Sequence, residues 1–572
     1  MSDIQDQLSR MRRDAEERDA QRRASSYGLS YLAPEKVSVS LDALGLIPEE
    51  KAKQSQCATI AIKGKRIAVI ACDSKFSQTV AQLKELETQG YSVNLFIVSL
   101  SSLLYAFSFY KFVQKERGAI SGKVRVGSQI NESSDTSSEK TVSQKGLDTI
   151  AAVHAALENR IAGGQISDMV DTLLAGALGT RASDIHLEPG DSVSKLRYRI
   201  DGNLNDVHGS LSNNIYHSIV SRIKLLSNLK LNVKDEPQDG RFTINFPNKD
   251  VQVRVALAPS EFGEVVVMRL LDPDAINLSL SDLGLRDDDR VIVEEQLAKP
   301  YGMALNTGPT GSGKTTTLYA FLRHKITSEV KIITIEDPIE YHLDGIQQTQ
   351  VDNEAGYTFA SGLRSLMRQD PDVILVGEIR DKETAEIGVQ AALTGHLVFS
   401  TVHANEAAGA IPRLFDLGVK AASLAPALNL LIAQRLVRRL CSSCKEKDEA
   451  INADIKEKIK AHALALPARV DGKKFVDACE FYKPAGCEKC NNTGFKGRVG
   501  IYELLVVTDS LRALIQKEVG QIEFQQAIAH TDFVSMQSDG VLKVMSGLTT
   551  LEEVESVTGK IAWGNLGVKS KE

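Results

Sequence analysis

A glycine-rich segment in the middle of the chain has the spacing of a phosphate-binding loop. Its glycines let the backbone curl so that N–H groups and the N-terminus of the next helix point at phosphate oxygens. The apolar run 302–307 before it predicts a strand and the run 315–325 after it predicts a helix, as a P-loop requires. We expect ATP or GTP here, with Lys314 on the β- and γ-phosphates and Thr315 on Mg²⁺. The predicted nucleotide-binding residues are Gly308, Pro309, Thr310, Gly311, Ser312, Gly313, Lys314, Thr315 and Thr316.

Acidic side chains follow two further predicted strands. The apolar run 373–376 ends at Gly377 and Glu378, which places a carboxylate at the carboxyl edge of the sheet beside the P-loop, where a Mg²⁺-bound water is held. The run 333–340 delivers three carboxylates where Pro338 interrupts the regular structure, and one of them can orient an attacking water. The alternative is that these acids only cap the next element. The three acids are Glu336, Asp337 and Glu340.

Two Cys-x-x-Cys pairs follow the predicted nucleotide site. Four thiolates satisfy a closed tetrahedral Zn²⁺ site, which leaves no position for a catalytic water. A pair of redox motifs is the alternative, but two such pairs in a chain with only seven cysteines favour structural zinc. Cys57, Cys72 and Cys479 are predicted not to bind metal. The expected zinc ligands are Cys441, Cys444, Cys487 and Cys490.

The composition limits the class of protein. A chain of 572 residues with 42% hydrophobic and 25% charged residues predicts a soluble protein of roughly two to four domains. Its net charge of −6 and pI near 6.0 argue against a protein that coats nucleic acid, because phosphate binding needs a basic surface. The first residues lack the cationic and apolar regions of a signal peptide, so we expect a cytoplasmic location.

Apolar periodicity and helix-breaking residues divide the chain into five parts. These are a charged tail at 1–30 that is a solvated helix or disordered, a small α/β domain at 31–118, a flexible linker at 119–146, an α+β domain at 147–286, and an α/β domain with the P-loop at 287–572. The small domain is predicted to contain two hairpin strands and a helix, at 58–62, 66–71 and 77–87. In the α+β domain, a helix at 166–178 precedes strands at 196–200, 241–246, 251–257 and 265–271.

The uncharged stretch 91–110 has about the length of a transmembrane helix. It also contains Asn94 and several serines, which favour a different structure. We predict a strand at 92–98 followed by a short helix at 101–112, both within the small α/β domain.

With these features the chain resembles the type II secretion and type IV pilus assembly branch of the secretion ATPase superfamily. The resemblance runs from about residue 165 to residue 562 and includes a Walker A loop, an acid-rich box, a Walker B strand and a histidine box, in that order. The matching segments outside the P-loop are Ala182–His186, Arg199–Gly202, Pro237–Arg241, Arg368–Asp372 and Gly377–Asp381.

The resemblance implies roles that spacing alone does not assign. It implies that Glu340 polarises the attacking water, that Glu378 helps to hold Mg²⁺, and that His403 senses the γ-phosphate. Without the resemblance, His396 and His403 would be interpreted as core histidines. The domain before the ATPase core supplies arginines to the nucleotide in this family, and an arginine there stabilises the charge that develops as phosphate leaves. The corresponding residues here are Arg241, Arg254 and Arg269.

The implied architecture is an α/β multidomain protein, with a RecA-like P-loop ATPase core preceded by a PAS-like α+β domain and a small N-terminal α/β domain, and with a tetracysteine zinc module at 441–490. Family members form homo-hexameric rings at the cytoplasmic face of the inner membrane. There they act with a membrane platform protein and a cytoplasmic docking protein. Pilus assembly ATPases carry the tetracysteine element and retraction ATPases generally lack it, so we predict an assembly motor.

Three alternatives remain from the sequence. Type II secretion uses a near-identical motor. A motor that translocates nucleic acid is disfavoured by the acidic pI and the absence of a basic-aromatic run. A non-catalytic ring component is disfavoured by the intact Lys314, Glu340 and Glu378.

Two places depart from the family's pattern. Asn306 is unusual in the strand before the P-loop. The histidine box reads His403, Ala404, Asn405, Glu406, where His-Thr-Asn-Asp is common. We expect this difference to tune the activity without changing the reaction.

Overall fold

The computed structural model describes residues 2–34, 37, 39–63, 65–110, 123–125, 146–246, 249–276 and 278–561. Contacts divide the chain into two compact units. The first comprises Met1–Leu147, Ala152–Arg199 and Leu204–Leu270, and the second comprises Asp148–Ala151, Ile200–Asn203 and Leu271–Glu572. Among the described residues no helix is both long enough and apolar enough to span a bilayer.

The N-terminal part of the first unit is a four-stranded sheet with helices packed on it. The strand order is β1-β4-β3-β2, in which β2 and β3 form the predicted antiparallel hairpin and the other pairs are parallel. Its elements are α1 (Ser2–Tyr27), β1 (Ser30–Tyr31), α2 (Leu41–Leu44), α3 (Glu49–Ser55), β2 (Cys57–Lys63), β3 (Arg66–Ala71), α4 (Ser77–Thr88), β4 (Ser92–Ile97) and α5 (Leu100–Phe107).

The charged tail forms a helix, one of its two predicted states, and the strand and helix predicted within 91–110 are confirmed. The last turns of α1 expose most of their residues and bury Ala20 and Ala24 against Ile97 of β4. Nη1 of Arg23 also donates to the backbone oxygen of Cys72 at 2.6 Å. The uncharged stretch forms β4 and α5, and Leu103 and Ala106 of α5 lie in the core of this sheet.

A seven-stranded sheet forms the rest of the first unit. Its order is β5-β9-β10-β11-β6-β7-β8. Within the predicted linker, residues 123–125 form β5, which pairs in parallel with β9; the remainder of 119–145 lies outside the described residues. The elements are β5 (Lys123–Arg125), α6 (Ile150–Gly163), α7 (Ile166–Gly179), β6 (Asp184–Glu188), β7 (Val193–Ile200), β8 (Asn203–Ser212), α8 (Asn213–Leu226), β9 (Gln238–Asn245), β10 (Asp250–Ser260) and β11 (Gly263–Leu271).

Helices α7 and α8 cover the apolar face of this sheet. The hydroxyl of Tyr198 on β7 donates to the backbone oxygen of Leu173 at 2.5 Å. Leu225 on α8 and Leu231 pack against the core of the four-stranded sheet. The two N-terminal domains predicted from the sequence therefore belong to one compact unit.

The main stretch of the second unit begins at Leu271, and the unit is built on a second seven-stranded sheet. Its order is β14-β13-β15-β16-β12-β17-β20, parallel except for the last pair. Its elements up to β17 are α9 (Asp287–Leu297), β12 (Gly302–Thr307), α10 (Lys314–Lys325), β13 (Ile332–Glu336), β14 (Gln347–Gln350), α11 (Phe359–Leu366), β15 (Val373–Val376), α12 (Lys382–Leu393), β16 (Leu397–Val402), α13 (Ala410–Asp416), α14 (Ala421–Ala427) and β17 (Leu428–Leu440).

In a parallel sheet, the loops that follow the strands all lie at the same edge. Every residue of β12, β13, β15 and β16 is buried, because helices cover both faces of the sheet. The segments that follow these four strands therefore meet at the carboxyl edge, where open α/β sheets bind their ligands.

The C-terminal part of the second unit contains the cysteine pairs and six further α-helices among its described residues. Its elements are β18 (Glu446–Lys447), α15 (Ala453–Ala465), α16 (Gly472–Asp477), β19 (Tyr482–Lys483), β20 (Phe495–Val506), α17 (Asp509–Gln516), α18 (Gln521–Ala529), α19 (Met536–Met545) and α20 (Leu551–Thr558).

A buried ionic hub holds α19 to β20. Asp539 is fully buried and accepts from Nη1 of Arg286 at 2.6 Å and from Nζ of Lys543 at 2.6 Å. It also accepts from the backbone N–H of Tyr502 at 2.8 Å. Burial by itself raises the pKa of Asp539, but the two cations hold that pKa below its usual value.

We predict that Asp539→Asn destabilises the second unit by about 3 kcal/mol, because it leaves two buried cations without their shared counter-ion. Urea unfolding followed by circular dichroism measures this. The control is Asp509→Asn, whose 96% exposed carboxylate pairs with Arg512, and which should cost at most about 1 kcal/mol. Equal midpoints for the two variants would contradict the hub.

Candidate active site

The glycine-rich segment lies at the carboxyl end of β12 and leads into α10. Gly308 and Gly313 have φ values of +147° and +91°, in the region that glycine alone adopts readily. A Cβ atom on Gly308 would lie 2.7 Å from the backbone oxygen of Gln434, and one on Gly313 would lie 2.7 Å from Nε2 of the same residue. The loop therefore needs glycine at both positions to wrap closely against β17.

The side chains of the loop present donors where a phosphate would lie. Nζ of Lys314 donates to the backbone oxygens of Gly308 at 2.7 Å and Pro309 at 2.9 Å, so the ammonium lies over the loop. Burial lowers the pKa of Lys314, an effect that the charge of Glu378 opposes. Ser312 is 4% exposed, and its hydroxyl has no hydrogen-bond partner among the described residues. These features fit a bound nucleotide.

Gln434 joins β17 to both sides of the P-loop. Its Oε1 accepts from Nδ2 of Asn306 on β12 at 3.0 Å and from Oγ1 of Thr317 on α10 at 2.8 Å. Asn306 is fully buried, so its amide needs such a partner. This contact accounts for the unusual asparagine before the loop. The sequence analysis missed Gln434, because its role depends on which strand lies next to β12.

The structure separates the three acids after β13. Glu336 is buried, and its carboxylate accepts from Thr334 Oγ1 at 2.6 Å, from Gln348 Nε2 at 3.2 Å and from the hydroxyl of Tyr319. Burial raises its pKa. Asp337 is exposed and Glu340 is partly buried. Glu336 is therefore engaged within the fold, and Glu340 is left as the partly buried acid beside it.

Glu378 follows β15, next to the end of β16. Its carboxylate pairs with Arg380 and lies 3.4 Å from Nε2 of His403, which follows β16. His396 lies at the other end of β16, where its Nδ1 is 3.0 Å from the backbone oxygen of Ala391 in the last turn of α12. The fold thus brings His403 to the acid at the carboxyl edge and gives His396 a contact with the end of a helix.

A cavity of about 410 Å³ opens beside the P-loop, within the range of about 300–1,000 Å³ typical of small-molecule sites. Nη2 of Arg435 donates to the backbone oxygen of Asn405 at 2.9 Å, and Arg438 is held by the carboxylate of Glu553. This basic lining suits a polyphosphate. The basic residues that line the cavity are Arg435, Arg438 and Arg498.

The three arginines expected to reach the nucleotide lie on neighbouring strands of the first unit. Arg241 on β9 is directly paired with Arg254 on β10. Arg269 on β11 pairs with Asp184 on β6, with Nε and Oδ1 2.9 Å apart. Their action on a nucleotide stays a prediction of the resemblance.

The four predicted cysteine ligands converge. Three of the sulfur–sulfur distances are 3.7, 3.8 and 3.9 Å. The edge of a tetrahedron with Zn–S bonds of about 2.3 Å is roughly 3.8 Å. Burial alone would raise the pKa of Cys490, but backbone N–H groups of Cys487 and Gly494 hold it at about 7. The cluster fits Zn²⁺.

A second group of potential metal ligands is less suitable. The ligand atoms of His154, Glu158 and His208 lie within 4.8 Å of one another. However, the two imidazole rings are stacked with an interplanar angle of 16°, and His208 Nε2 already lies 2.8 Å from Glu158. Stacked parallel rings do not direct their in-plane lone pairs at one point, so we assign no metal to this group.

A glycine-rich phosphate loop at the edge of a parallel sheet, with an acid and a histidine on adjacent strands, defines a P-loop nucleotide-binding protein of mixed α/β fold. Residues 161–556 match the family model of the type II/IV secretion system protein, and the chain belongs to that family.

Similarity to individual relatives extends over different lengths. The type II secretion system ATPase E of Vibrio cholerae is 45% identical over 393 residues, which cover 69% of this chain and 75% of the relative. The type IV pilus assembly ATPase PilB of Myxococcus xanthus is 36% identical over 532 residues, which cover 93% of this chain and 89% of the relative. The solved ATPase DotB of Yersinia pseudotuberculosis resembles the fold, with a TM-score of 0.50 and 20% identity over 69% of this chain and 94% of that chain.

We predict that Glu336→Gln lowers the free energy of unfolding by about 1 kcal/mol, because the amide accepts at only one of its two positions and the Tyr319 hydroxyl would have to accept instead of donate. Thermal unfolding measures this. Glu329→Gln, an exposed acid before β13, is the matched control and should be neutral. Unchanged stability of Glu336→Gln would show that its three donors do not converge on a carboxylate.

Proposed function

We propose that this protein is an ATP-hydrolysing motor that powers assembly of a type IV pilus. The observation that carries the catalytic part is the convergence of the P-loop, Glu378 and His403 at one edge of the sheet. The charge of Glu378 opposes the lowering of the Lys314 pKa that burial causes. Oε2 of Glu378 lies 3.4 Å from Nε2 of His403. A phosphate loop with its lysine and an acid that can hold Mg²⁺ are recurring parts of nucleotide hydrolases.

Each side chain has a role in this proposal. The P-loop amides and Lys314 bind the phosphates and neutralise their charge. Glu340 accepts a hydrogen bond from the attacking water and orients it towards the γ-phosphate. His403 contacts the same phosphate from β16. Thr315 and Glu378 would hold Mg²⁺, which supplies further charge neutralisation when bound.

The similarity to the pilus ATPase favours pilus assembly over protein secretion. Identity to the type II secretion ATPase is higher, but it covers 69% of the chain, whereas identity to the pilus ATPase covers 93% and so includes most of the N-terminal sheet and its helices. The N-terminal region is where partners of a given machine would differ. Type II protein secretion is the second candidate.

The family to which the chain belongs suggests how ATP hydrolysis would be coupled to movement. The chain would act as a homo-hexamer at the cytoplasmic face of the inner membrane, with a platform protein and a cytoplasmic docking protein as partners. The α+β region would correspond to the family's PAS-like domain. Arg241, Arg254 and Arg269 would stabilise the transferred phosphate of a nucleotide, so that closure of this domain follows nucleotide binding.

We predict that Glu340→Gln reduces ATP turnover by roughly 10²–10⁴-fold, because the amide no longer polarises the water, while ATP binding is retained. Phosphate release by the purified full chain with Mg²⁺, together with its oligomer size, measures this. Glu354→Gln, an exposed acid in the following loop, should keep full activity.

A wild-type chain that binds no nucleotide and stays monomeric, even with membrane partners added, would contradict the proposed motor function.

To distinguish pilus assembly from type II secretion, the gene would be deleted, and both pilus formation and protein secretion would be measured. Loss of pili with normal secretion supports the proposal. Loss of secretion with normal pili supports the alternative.

We also propose that the tetracysteine cluster holds one structural zinc ion per chain. Cys444→Ser should abolish zinc binding and lower the melting temperature by roughly 5 °C or more, because a closed zinc site stabilises the fold around it. Cys479→Ser removes a partly buried thiol outside the cluster and is the control. Elemental analysis of both proteins decides, and equal zinc contents would contradict the assignment.

A further inference from the structure

The segment His403–Ala407, here the histidine loop, connects β16 to α13 and is attached to three different strands. The backbone oxygen of Asn405 accepts from Nη2 of Arg435 on β17 at 2.9 Å. The backbone oxygen of Glu406 accepts from Oγ1 of Thr307 on β12 at 3.4 Å. The backbone N–H of Ala407 donates to Oε1 of a carboxylate on β20 at 2.5 Å.

That carboxylate belongs to Glu503, which is buried and lies between apolar residues of β20. Its second oxygen, Oε2, accepts from the backbone N–H of Met536 at 3.3 Å, at the first residue of α19. Burial raises the pKa of Glu503, and its two backbone hydrogen bonds oppose this. An isolated buried carboxylate destabilises a fold, so one that is present with donors from two separate elements links those elements.

We propose that Glu503 is a positioning residue, which fixes the histidine loop to the start of α19 so that His403 stays against Glu378. This inference rests on the proposed ATPase function. The hydrogen bonds of the Glu503 carboxylate go to Ala407 and Met536, so Glu503 acts on the histidine loop through Ala407. The same end of α19 is anchored by Asp539, whose carboxylate binds the backbone of Tyr502, next to Glu503 on β20. Helix α19 and the histidine loop are therefore coupled through one strand.

The coupling should affect turnover more than nucleotide affinity. The P-loop has its own attachment to β17 through Gln434, which the proposed role of Glu503 does not involve. A loop that shifts by about 1 Å displaces His403 from the reacting phosphate and can reduce the rate by roughly 10²-fold. The P-loop contacts remain in place.

The test is Glu503→Gln in the full-length protein. Glutamine keeps the size of the side chain but can accept at only one of its two positions. We expect kcat to fall by roughly 10–100-fold while the KM for ATP stays within about twofold. Glu523→Gln, an exposed acid on α18, is the matched control and should match the wild type in both constants.

A double-mutant cycle with His403→Ala distinguishes positioning from a general loss of structure. If Glu503 acts through His403, adding Glu503→Gln to His403→Ala should not lower kcat further. Multiplicative effects of the two substitutions would overturn the inference. So would an unchanged kcat in the single variant.

Amide hydrogen exchange in the wild-type protein tests the inference independently of whether the variant folds. In the wild-type protein the Ala407 amide should exchange as slowly as the amides of β16, and in a folded Glu503→Gln variant it should exchange faster while the P-loop helix is unchanged. Rapid exchange of Ala407 in the wild type would overturn the inference. An inactive wild-type enzyme with a protected Ala407 would instead contradict the proposed function.

Discussion

The close packing of the P-loop against β17 is the contact on which the rest of the site depends. A phosphate loop presents backbone N–H groups only if it curls without side chains, and here both Gly308 and Gly313 pass within contact distance of Gln434. The amide of Gln434 then connects the strand before the loop to the helix after it. Because β17 also carries Arg435, the position of the loop and the position of the cavity lining are set by the same strand.

The second constraint is the cost of burying charge. Asp539, Arg286 and Lys543 form a buried group in which each charge has a partner, and Glu336 and Glu503 are each hydrogen-bonded by several donors. Removing one partner from such a group is strongly destabilising, because the remaining charge stays buried without compensation. These contacts connect α19, β20 and the loop after β16.

Much of the site could be predicted from the sequence because it is local. The P-loop, the acid after residues 373–376 and the two cysteine pairs are short motifs whose chemistry depends on residues a few positions apart. The hairpin at 58–62 and 66–71 and the helix at 77–87 were also predictable, because their periodicity and turn residues agree. Strand β6 and helices α6 and α8 were missed, since they are short or lack the clear patterns that the analysis used.

The sequence by itself predicted a phosphate-binding loop and a four-cysteine site, and it showed the resemblance to secretion ATPases. Only the tertiary structure showed that Glu336 is enclosed by three donors and that His403 lies beside Glu378 while His396 lies at the other end of β16. Sequence spacing could not show this, because the donors and neighbours of a side chain come from other elements. Which elements those are follows from the order of strands in the sheet.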